Sequence, residues 1–254
     1  MNNQLLNKVA IITGGAGSIG LATAKLFIAA GAKVMLVDVD KDALQLAVNN
    51  LANSNAASCV ADVTLVDDVK NYINKTVQAF GKIDIFFNNA GIEGVVKPIE
   101  EYPDEMFDKV MAINVRGMWL GNKYILAYMN DGGSIIVSSS VAGLTGSVNV
   151  SAYITSKHAV VGIMRATAVE VAPRKIRVNS IHPSPVDNRM MRSLEEGFLA
   201  GHAEEVKKKL EATIPLGKYA TPEEIAQLVY FLASDESSFI TGTTQVIDGG
   251  ITVQ

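Results

Sequence analysis

The sequence predicts an α/β fold: one three-layer, Rossmann-like domain whose doubly wound parallel sheet has helices on both faces. Short β-branched runs alternate with longer segments of helical periodicity, which is the pattern of consecutive βαβ units. A glycine-rich turn joins the first strand to the first helix. The 254 residues, 48% hydrophobic and 19% charged, favour a single ordered domain over residues 1–254. We therefore expect about seven strands, in the order 3-2-1-4-5-6-7.

The first half of the chain shows the alternation most clearly. β-Branched residues mark the strands, and glycine follows two of the helices, where a left-handed residue ends a helix without strain. The predicted order is strand 9–12, helix 18–30, strand 33–37, helix 40–51, strand 57–61, helix 65–80 and strand 83–87.

The second half contains longer helices. The predicted elements are helix 104–129, strand 134–138, helix 152–171 and strand 176–181. Thr221-Pro222-Glu223-Glu224 predicts a further helix, because it places a capping threonine before a proline at the first helical position and a glutamate at the third. That helix runs to about residue 233 and precedes a short strand at 245–247.

Residues 183–215 interrupt the alternation. They include three prolines and a charged amphipathic piece over 194–210. An insertion after the carboxyl end of a strand often covers the site of an α/β enzyme. The sequence therefore predicts a substrate lid over 183–215, and the alternative is a peripheral pair of helices.

Charge and cysteine content argue against several functional classes. The net charge is −4, and glutamates flank Lys207-Lys208-Lys209, as on a solvated helix face and unlike a nucleic-acid patch. Cys59 is the only cysteine, so we expect neither an intrachain disulfide nor a cysteine-based metal site. His158, His182 and His202 lack the spacing of metal ligands, and no metal is predicted.

The N-terminal residues do not resemble a targeting segment. The residues before the first apolar run are few and polar, unlike a secretory signal. No run of 18 apolar residues is present. We therefore expect a cytoplasmic protein with no membrane or nucleic-acid partner.

A dinucleotide site is predicted at the turn from Thr13 to Gly20. Within this turn, Gly15, Gly17 and Gly20 match G-x-G-x-x-G between a strand and a helix, where amide N–H groups at the helix start can bind a pyrophosphate. Asp38 follows the next strand, 18 residues beyond Gly20. A carboxylate there accepts hydrogen bonds from a ribose diol and repels a 2′-phosphate, so we predict NAD over NADP. The alternative for Asp38 is a helix-capping acid.

Proton chemistry is predicted at Tyr153 and Lys157. Residues four apart share one helix face, so the ammonium can stabilise a tyrosinate electrostatically. Ser140 precedes Tyr153 by 13 residues and offers a hydroxyl that can hold an alkoxide. An exposed helix pair is the alternative for Tyr153 and Lys157, and Ser138 or Ser139 could replace Ser140.

These motifs, in this order along nearly the whole chain, resemble the compact members of the short-chain dehydrogenase/reductase family. The resemblance extends to further elements after the strands and near the C-terminus: Asp62, Asn88-Asn89-Ala90-Gly91, Asn114, Arg177-Val178-Asn179-Ser180 and Asp248-Gly249-Gly250. There are three departures. Ser18, Ser184 and Asn188 stand where the family commonly has glycine, glycine and threonine.

The resemblance implies a role for each matched residue. Tyr153 is the general acid/base, and Lys157 lowers its pKa and binds the nicotinamide ribose. Ser140 binds the substrate oxygen, and Asn114 holds a water that relays protons to Lys157. The implied cofactor-binding residues are Gly14, Gly17, Ser18, Ile19, Gly20, Asp38, Asp62, Val63, Asn89, Ala90, Gly91, Tyr153, Lys157, Pro183, Val186 and Asn188.

The function expected from these features is an NAD-dependent oxidoreductase that interconverts a secondary alcohol and a ketone. The alternatives are a 3-oxoacyl thioester reductase and a non-catalytic dinucleotide-binding regulator. Glu93 and His182 are weaker candidates near the site, with a loop carboxylate and a packed histidine as the other readings. The two long helices, apolar on more than one face, predict a homotetramer or homodimer.

Overall fold

The computed structural model describes residues 4–254 and contains one seven-stranded parallel sheet. Its order is β3-β2-β1-β4-β5-β6-β7, so the predicted topology is confirmed. The strands are β1 Val9–Thr13, β2 Lys33–Asp38, β3 Ala56–Val60, β4 Ile83–Asn88, β5 Met129–Ser138, β6 Arg177–Pro183 and β7 Thr244–Ile247.

The α-helices of the described chain are α1 Ser18–Ala29, α2 Lys41–Leu51, α3 Val66–Phe80, α4 Asp104–Met111, α5 Met118–Ile125, α6 Ser151–Val171, α7 Arg189–Phe198, α8 Ala203–Ala212 and α9 Pro222–Ala233. Helices α1, α2 and α9 pack on one face of the sheet, and α3, α5 and α6 on the other. Successive strand residues alternate between the two apolar cores, as Ile11 and Ile12 show. Within residues 4–254, no helix is long and apolar enough to cross a bilayer.

Most predicted bounds hold within two residues, and the larger differences have physical causes. The helix predicted over 104–129 contains a π-helical segment, Ala112–Gly117, between α4 and α5. The amphipathic piece over 194–210 forms two helices, α7 and α8, separated by a break in which Gly201 has a φ of +75°. β5 begins at Met129, earlier than predicted, because Met129 pairs with Ile83 of β4 across a shift in register; Arg174 also donates to its carbonyl at 2.7 Å.

The parallel topology places the site. All strand carboxyl ends lie at one edge of the sheet, so the loops after β1, β2, β3, β4, β5 and β6 meet there. The chain changes direction between β1 and β4, which is where doubly wound sheets bind ligands.

Candidate active site

One cavity of about 990 Å³ opens at the carboxyl edge of the sheet. It brings together nearly every residue predicted for the site. The predicted residues that line it are Gly14, Gly17, Ser18, Ile19, Asp38, Asp62, Val63, Asn89, Ala90, Gly91, Ser140, Tyr153, Lys157, Pro183, Val186 and Asn188. Gly20 and Asn114 lie behind its wall.

The glycine turn at one end of the cavity has no room for side chains. Gly14 has a φ of +63°, and a Cβ on Gly20 would lie 2.3 Å from the Gly14 carbonyl oxygen. Gly17 precedes α1 and has no side chain to cap it, so the start of α1 borders the cavity through Gly17, Ser18 and Ile19. This arrangement suits an anion at the positive end of the helix.

Asp38 braces this turn against β2. Its Oδ2 accepts the Ala16 amide at 3.1 Å, and its Oδ1 accepts the Asp40 amide at 3.2 Å. The cap of α2 is Asp40, whose carboxylate accepts the amides of Asp42 and Ala43. Asp40, and not Asp38, therefore caps the helix. Asp38 borders the cavity.

The Thr13 side chain joins the glycine turn to the loop after β4, and sequence reasoning gave it no role of its own. The buried hydroxyl accepts the amides of Asn89 at 2.9 Å and Ala90 at 3.1 Å. The Asn89 side-chain amide donates to the Thr13 carbonyl at 3.1 Å. The Asn89 side chain therefore stabilises the turn. The sequence shows that Asn89 matches the family motif, but it does not show that Asn89 pairs with Thr13, 76 residues away.

Tyr153 and Lys157 lie on the cavity side of α6, with the Lys157 Nζ 5.4 Å from the centroid of the Tyr153 ring. The ammonium donates to the Ser138 carbonyl at 2.8 Å. Lys157 is only 4% exposed, so the alternative of an exposed helix pair is wrong. The Ser140 hydroxyl accepts the Ala142 amide at 3.2 Å and lowers the pKa of Tyr153. Ser139 bonds instead to the Lys157 carbonyl at 3.0 Å, behind the cavity.

The protein by itself does not lower the pKa of Tyr153. This pKa is raised to about 12: burial is the largest cause, the Ser140 side chain lowers it, and the charge of Glu93 raises it further. Burial also lowers the pKa of Lys157 to about 8. Lys157 is not among the groups that shift the pKa of Tyr153, so the role that the resemblance implies for Lys157 stays a prediction.

Asn114 lies in the π-helical segment and is fully buried. Its Oδ1 accepts the Ile92 amide at 2.8 Å, and its Nδ2 donates to the Ile92 carbonyl at 2.9 Å and to the Ser156 hydroxyl at 3.0 Å. Both amide hydrogens are thus engaged. The side chain clamps the loop after β4 to α6. The water that the resemblance implies at Asn114 stays a prediction.

His182 contacts the site from β6. Its Nδ1 lies 2.8 Å from the Ser140 carbonyl and its Nε2 lies 2.8 Å from the Ser180 hydroxyl. A neutral ring donating from Nδ1 and accepting at Nε2 satisfies both contacts. Burial, the largest cause, lowers the pKa of His182, which favours that neutral form. The side chain therefore holds the backbone of Ser140 without reaching the cavity.

The predicted lid borders the cavity through an apolar surface. Met190, Met191, Leu194 and Phe198 of α7 line it. Asn188 is the cap of α7, and its Oδ1 accepts the Met191 amide at 3.0 Å. Its Nδ2 is the part of the side chain that remains to meet a ligand.

A family model described as enoyl-(acyl carrier protein) reductase matches residues 14–252. Cyclohexanol dehydrogenase from Acinetobacter sp. (strain SE19) is 37% identical over 258 residues, which cover 99% of this chain and 98% of that protein. The chain belongs to the short-chain dehydrogenase/reductase family. The predicted family and the predicted class of enzyme are confirmed.

Solved structures of other short-chain dehydrogenases/reductases match the whole fold. The crystal structure of levodione reductase superposes with a TM-score of 0.94 at 36% identity, covering 98% of each chain. The 3-ketoacyl-(acyl-carrier-protein) reductase from Brucella melitensis, complexed with NADH, gives a TM-score of 0.90 at 30% identity and covers 98% of this chain and 99% of its own.

Proposed function

We propose that this protein is an NAD-dependent oxidoreductase that interconverts a secondary alcohol and a ketone. The observation that carries the proposal is that one cavity joins a dinucleotide-binding turn to a group of side chains that can transfer a proton. The glycine turn and Asp38 border one end, while Ser140, Tyr153 and Lys157 lie together at the other. Cyclohexanol dehydrogenase acts on a secondary alcohol, as its name states, and is similar over its full length.

The residues present fit a dinucleotide. A Cβ on Gly20 would fill the turn, and the start of α1 is open to an anion. Asp38 offers its carboxylate to a ribose diol, and its charge disfavours a 2′-phosphate. When bound, NAD⁺ would supply the hydride acceptor and a positive charge near Tyr153. Asp62, Val63, Ala90, Gly91, Pro183 and Val186 border the remaining length of the cavity.

Tyr153, Ser140 and Lys157 have different roles in the proposed proton transfer. In alcohol oxidation, the Tyr153 phenolate accepts the proton of the substrate hydroxyl, and the Ser140 hydroxyl binds the same substrate oxygen. The Lys157 ammonium favours the phenolate electrostatically. Each pKa unit by which nearby positive charge lowers the phenol corresponds to about 1.4 kcal/mol.

The substrate class follows from the lining. We propose that 183–215 is a lid and that its methionines, Leu194 and Phe198 enclose a largely apolar substrate. The second candidate is a 3-oxoacyl thioester reductase, which the similarity to the NADH-complexed reductase from Brucella melitensis favours. A non-catalytic regulator is disfavoured because Ser140, Tyr153 and Lys157 are assembled within the cavity.

We also propose a homodimer or homotetramer formed through α4, α5 and α6. Phe107, Trp119 and Val169 on these helices are 38%, 48% and 77% exposed, so each leaves apolar surface uncovered in one chain. Light scattering tests this, and a monomer at micromolar concentration would contradict it. A cytoplasmic location stays a prediction.

The reaction is tested by following NADH formation at 340 nm. The alcohols are cyclohexanol, a monoterpene alcohol, a polyol and a 3-hydroxyacyl thioester, each offered with NAD⁺ and with NADP⁺. We expect turnover with a compact apolar alcohol and a kcat/KM at least about tenfold higher with NAD⁺. Preference for the thioester would favour the second candidate, and a clear NADP⁺ preference would contradict the role of Asp38.

A further inference from the structure

Glu93 is a buried carboxylate in the loop after β4. It is 7% exposed. Its charge acts on Tyr153 and raises the pKa of the phenol. The one ion pair it forms within residues 4–254 is with Arg189, the first residue of α7, whose Nη1 lies 3.6 Å from the Glu93 Oε1.

The loop that carries Glu93 is fixed on both sides. Asn114 binds the amide and the carbonyl of Ile92, the preceding residue. The Tyr102 hydroxyl accepts the Val95 amide at 3.2 Å. Because Asn114 also binds Ser156 on α6, this loop holds its position relative to Tyr153. We call residues 92–96 the latch loop.

Helix α7 rests on the latch loop at both of its ends. Arg189 pairs with Glu93 at the first turn. At the last turn Gly197 packs so closely on Val96 that an added Cβ would lie 2.7 Å from its Cγ2. The Arg189 side chain is 79% exposed, so one face of this ion pair is open to solvent.

The charged and polar groups around Tyr153 and Ser140 come from five elements. Lys157 faces it from α6, the Ser140 hydroxyl from the loop after β5, and Glu93 from the latch loop. His182 on β6 contacts the Ser140 carbonyl, and burial lowers its pKa, which favours the neutral ring. Arg189 is the cation that α7 adds; it pairs with Glu93 and borders the same cavity as Tyr153.

We propose that Glu93 and Arg189 are positioning residues that couple the docking of α7 on the latch loop to proton transfer at Tyr153. With α7 docked, Arg189 offsets the negative charge of Glu93. With α7 lifted, the carboxylate is unpaired and disfavours the phenolate, so the open site accepts a proton poorly. The coupling rests on the proposed alcohol oxidation, whereas the latch itself does not.

The latch is tested without substrate or cofactor, by hydrogen exchange of the α7 amides. Arg189→Gln and Glu93→Gln should each speed exchange about two- to fivefold, as expected for the loss of one partly exposed ion pair. Arg189→Lys should restore slow exchange. Lys208→Gln, which removes an equal charge from an exposed site on α8, is the matched control. Unchanged exchange in both test variants would overturn the latch.

The coupling is tested by the pH profile of kcat/KM for alcohol oxidation, which rises as Tyr153 loses its proton. Arg189→Gln leaves Glu93 uncompensated and should move the rise about 0.5 to 1 pH unit higher. Glu93→Gln should move it lower, and the double variant should return close to the wild type. Superimposable profiles in an active enzyme would overturn the coupling. A wild type that oxidises no alcohol would instead contradict the proposed function, and hydrogen exchange would still decide the latch.

Discussion

The glycine turn and the proposed lid border the same cavity but are held by different forces. Around the turn, buried hydrogen bonds link Thr13 to Asn89 and Ala90, and backbone atoms approach too closely for any side chain at Gly20. In the lid, α8 buries no residue and α7 buries only Glu195. The lid depends largely on ion pairs.

Arg192 shows how the lid is held. Its guanidinium pairs with Asp187 at 2.9 Å, Glu195 at 2.8 Å and Glu204 at 3.2 Å. Asp187 and Glu204 have side chains that are 50% and 80% exposed, and exposed pairs contribute little free energy. The glycine turn is therefore held by close backbone packing and buried groups, whereas the proposed lid is held in large part by exposed side chains.

The largest effect expected in this comparison comes from Gly20→Ala. A Cβ there would lie 2.3 Å from the Gly14 oxygen and 2.9 Å from the Gly15 Cα, so the turn must shift. We expect NAD⁺ binding to weaken about 100-fold by calorimetry, or about 2.7 kcal/mol. Gly162→Ala is the control, because an added Cβ meets nothing there within 4 Å. Equal affinities in the two variants would contradict a rigid turn.

Asp38→Asn should have the next largest effect. It removes the charge but keeps an oxygen for the Ala16 amide, which Asp38 now accepts at 3.1 Å. Losing a charged hydrogen bond costs about 1.5 to 3 kcal/mol, so kcat/KM with NAD⁺ should fall about 10- to 100-fold while discrimination against NADP⁺ weakens. Asp42→Asn, in the first turn of α2, is the control. An unchanged NAD⁺ to NADP⁺ ratio would argue against the role given to Asp38.

Gly197→Ala tests the proposed lid in the same way, and we expect a smaller effect than for Gly20→Ala or Asp38→Asn. The added Cβ would press on the Val96 side chain at 2.7 Å and displace α7. We expect the KM for the alcohol to rise about three- to tenfold with the Kd for NAD⁺ unchanged. Steady-state kinetics and calorimetry separate the two. A matching loss of NAD⁺ affinity would show that lid and turn are not independent.

Features that depend on local sequence could be predicted, and features that depend on contacts between distant segments could not. Most element bounds follow from local periodicity, and the strand order follows from the doubly wound fold class that the βαβ alternation and the glycine turn indicate. The start of β5 does not, because Asn130-Asp131-Gly132-Gly133 resembles a turn. Two contacts with distant residues hold this segment. The Asn130 side chain donates to the Asp84 carboxylate at 2.9 Å, and Arg174 donates to the Asp131 carboxylate at 2.8 Å.

The candidate site was predictable where residues match motifs in order, as for Ser140, Tyr153 and Lys157. Contacts between distant segments were not. The Glu93–Arg189 pair joins residues 96 positions apart, and His182 reaches Ser140 across 42. Nothing in either neighbourhood indicates its partner. The pKa of Tyr153 likewise depends on its burial, which a motif does not describe.

The central claim, that the Tyr153 phenol transfers the substrate proton, is tested most directly by Tyr153→Phe. NADH formation from an accepted alcohol should be measured at saturating NAD⁺, beside the Kd for NAD⁺. We predict that turnover falls at least about 1000-fold while the Kd changes less than about threefold, because only the acid/base group is removed. Turnover within about tenfold of the wild type, at equal NAD⁺ affinity, would contradict the claim.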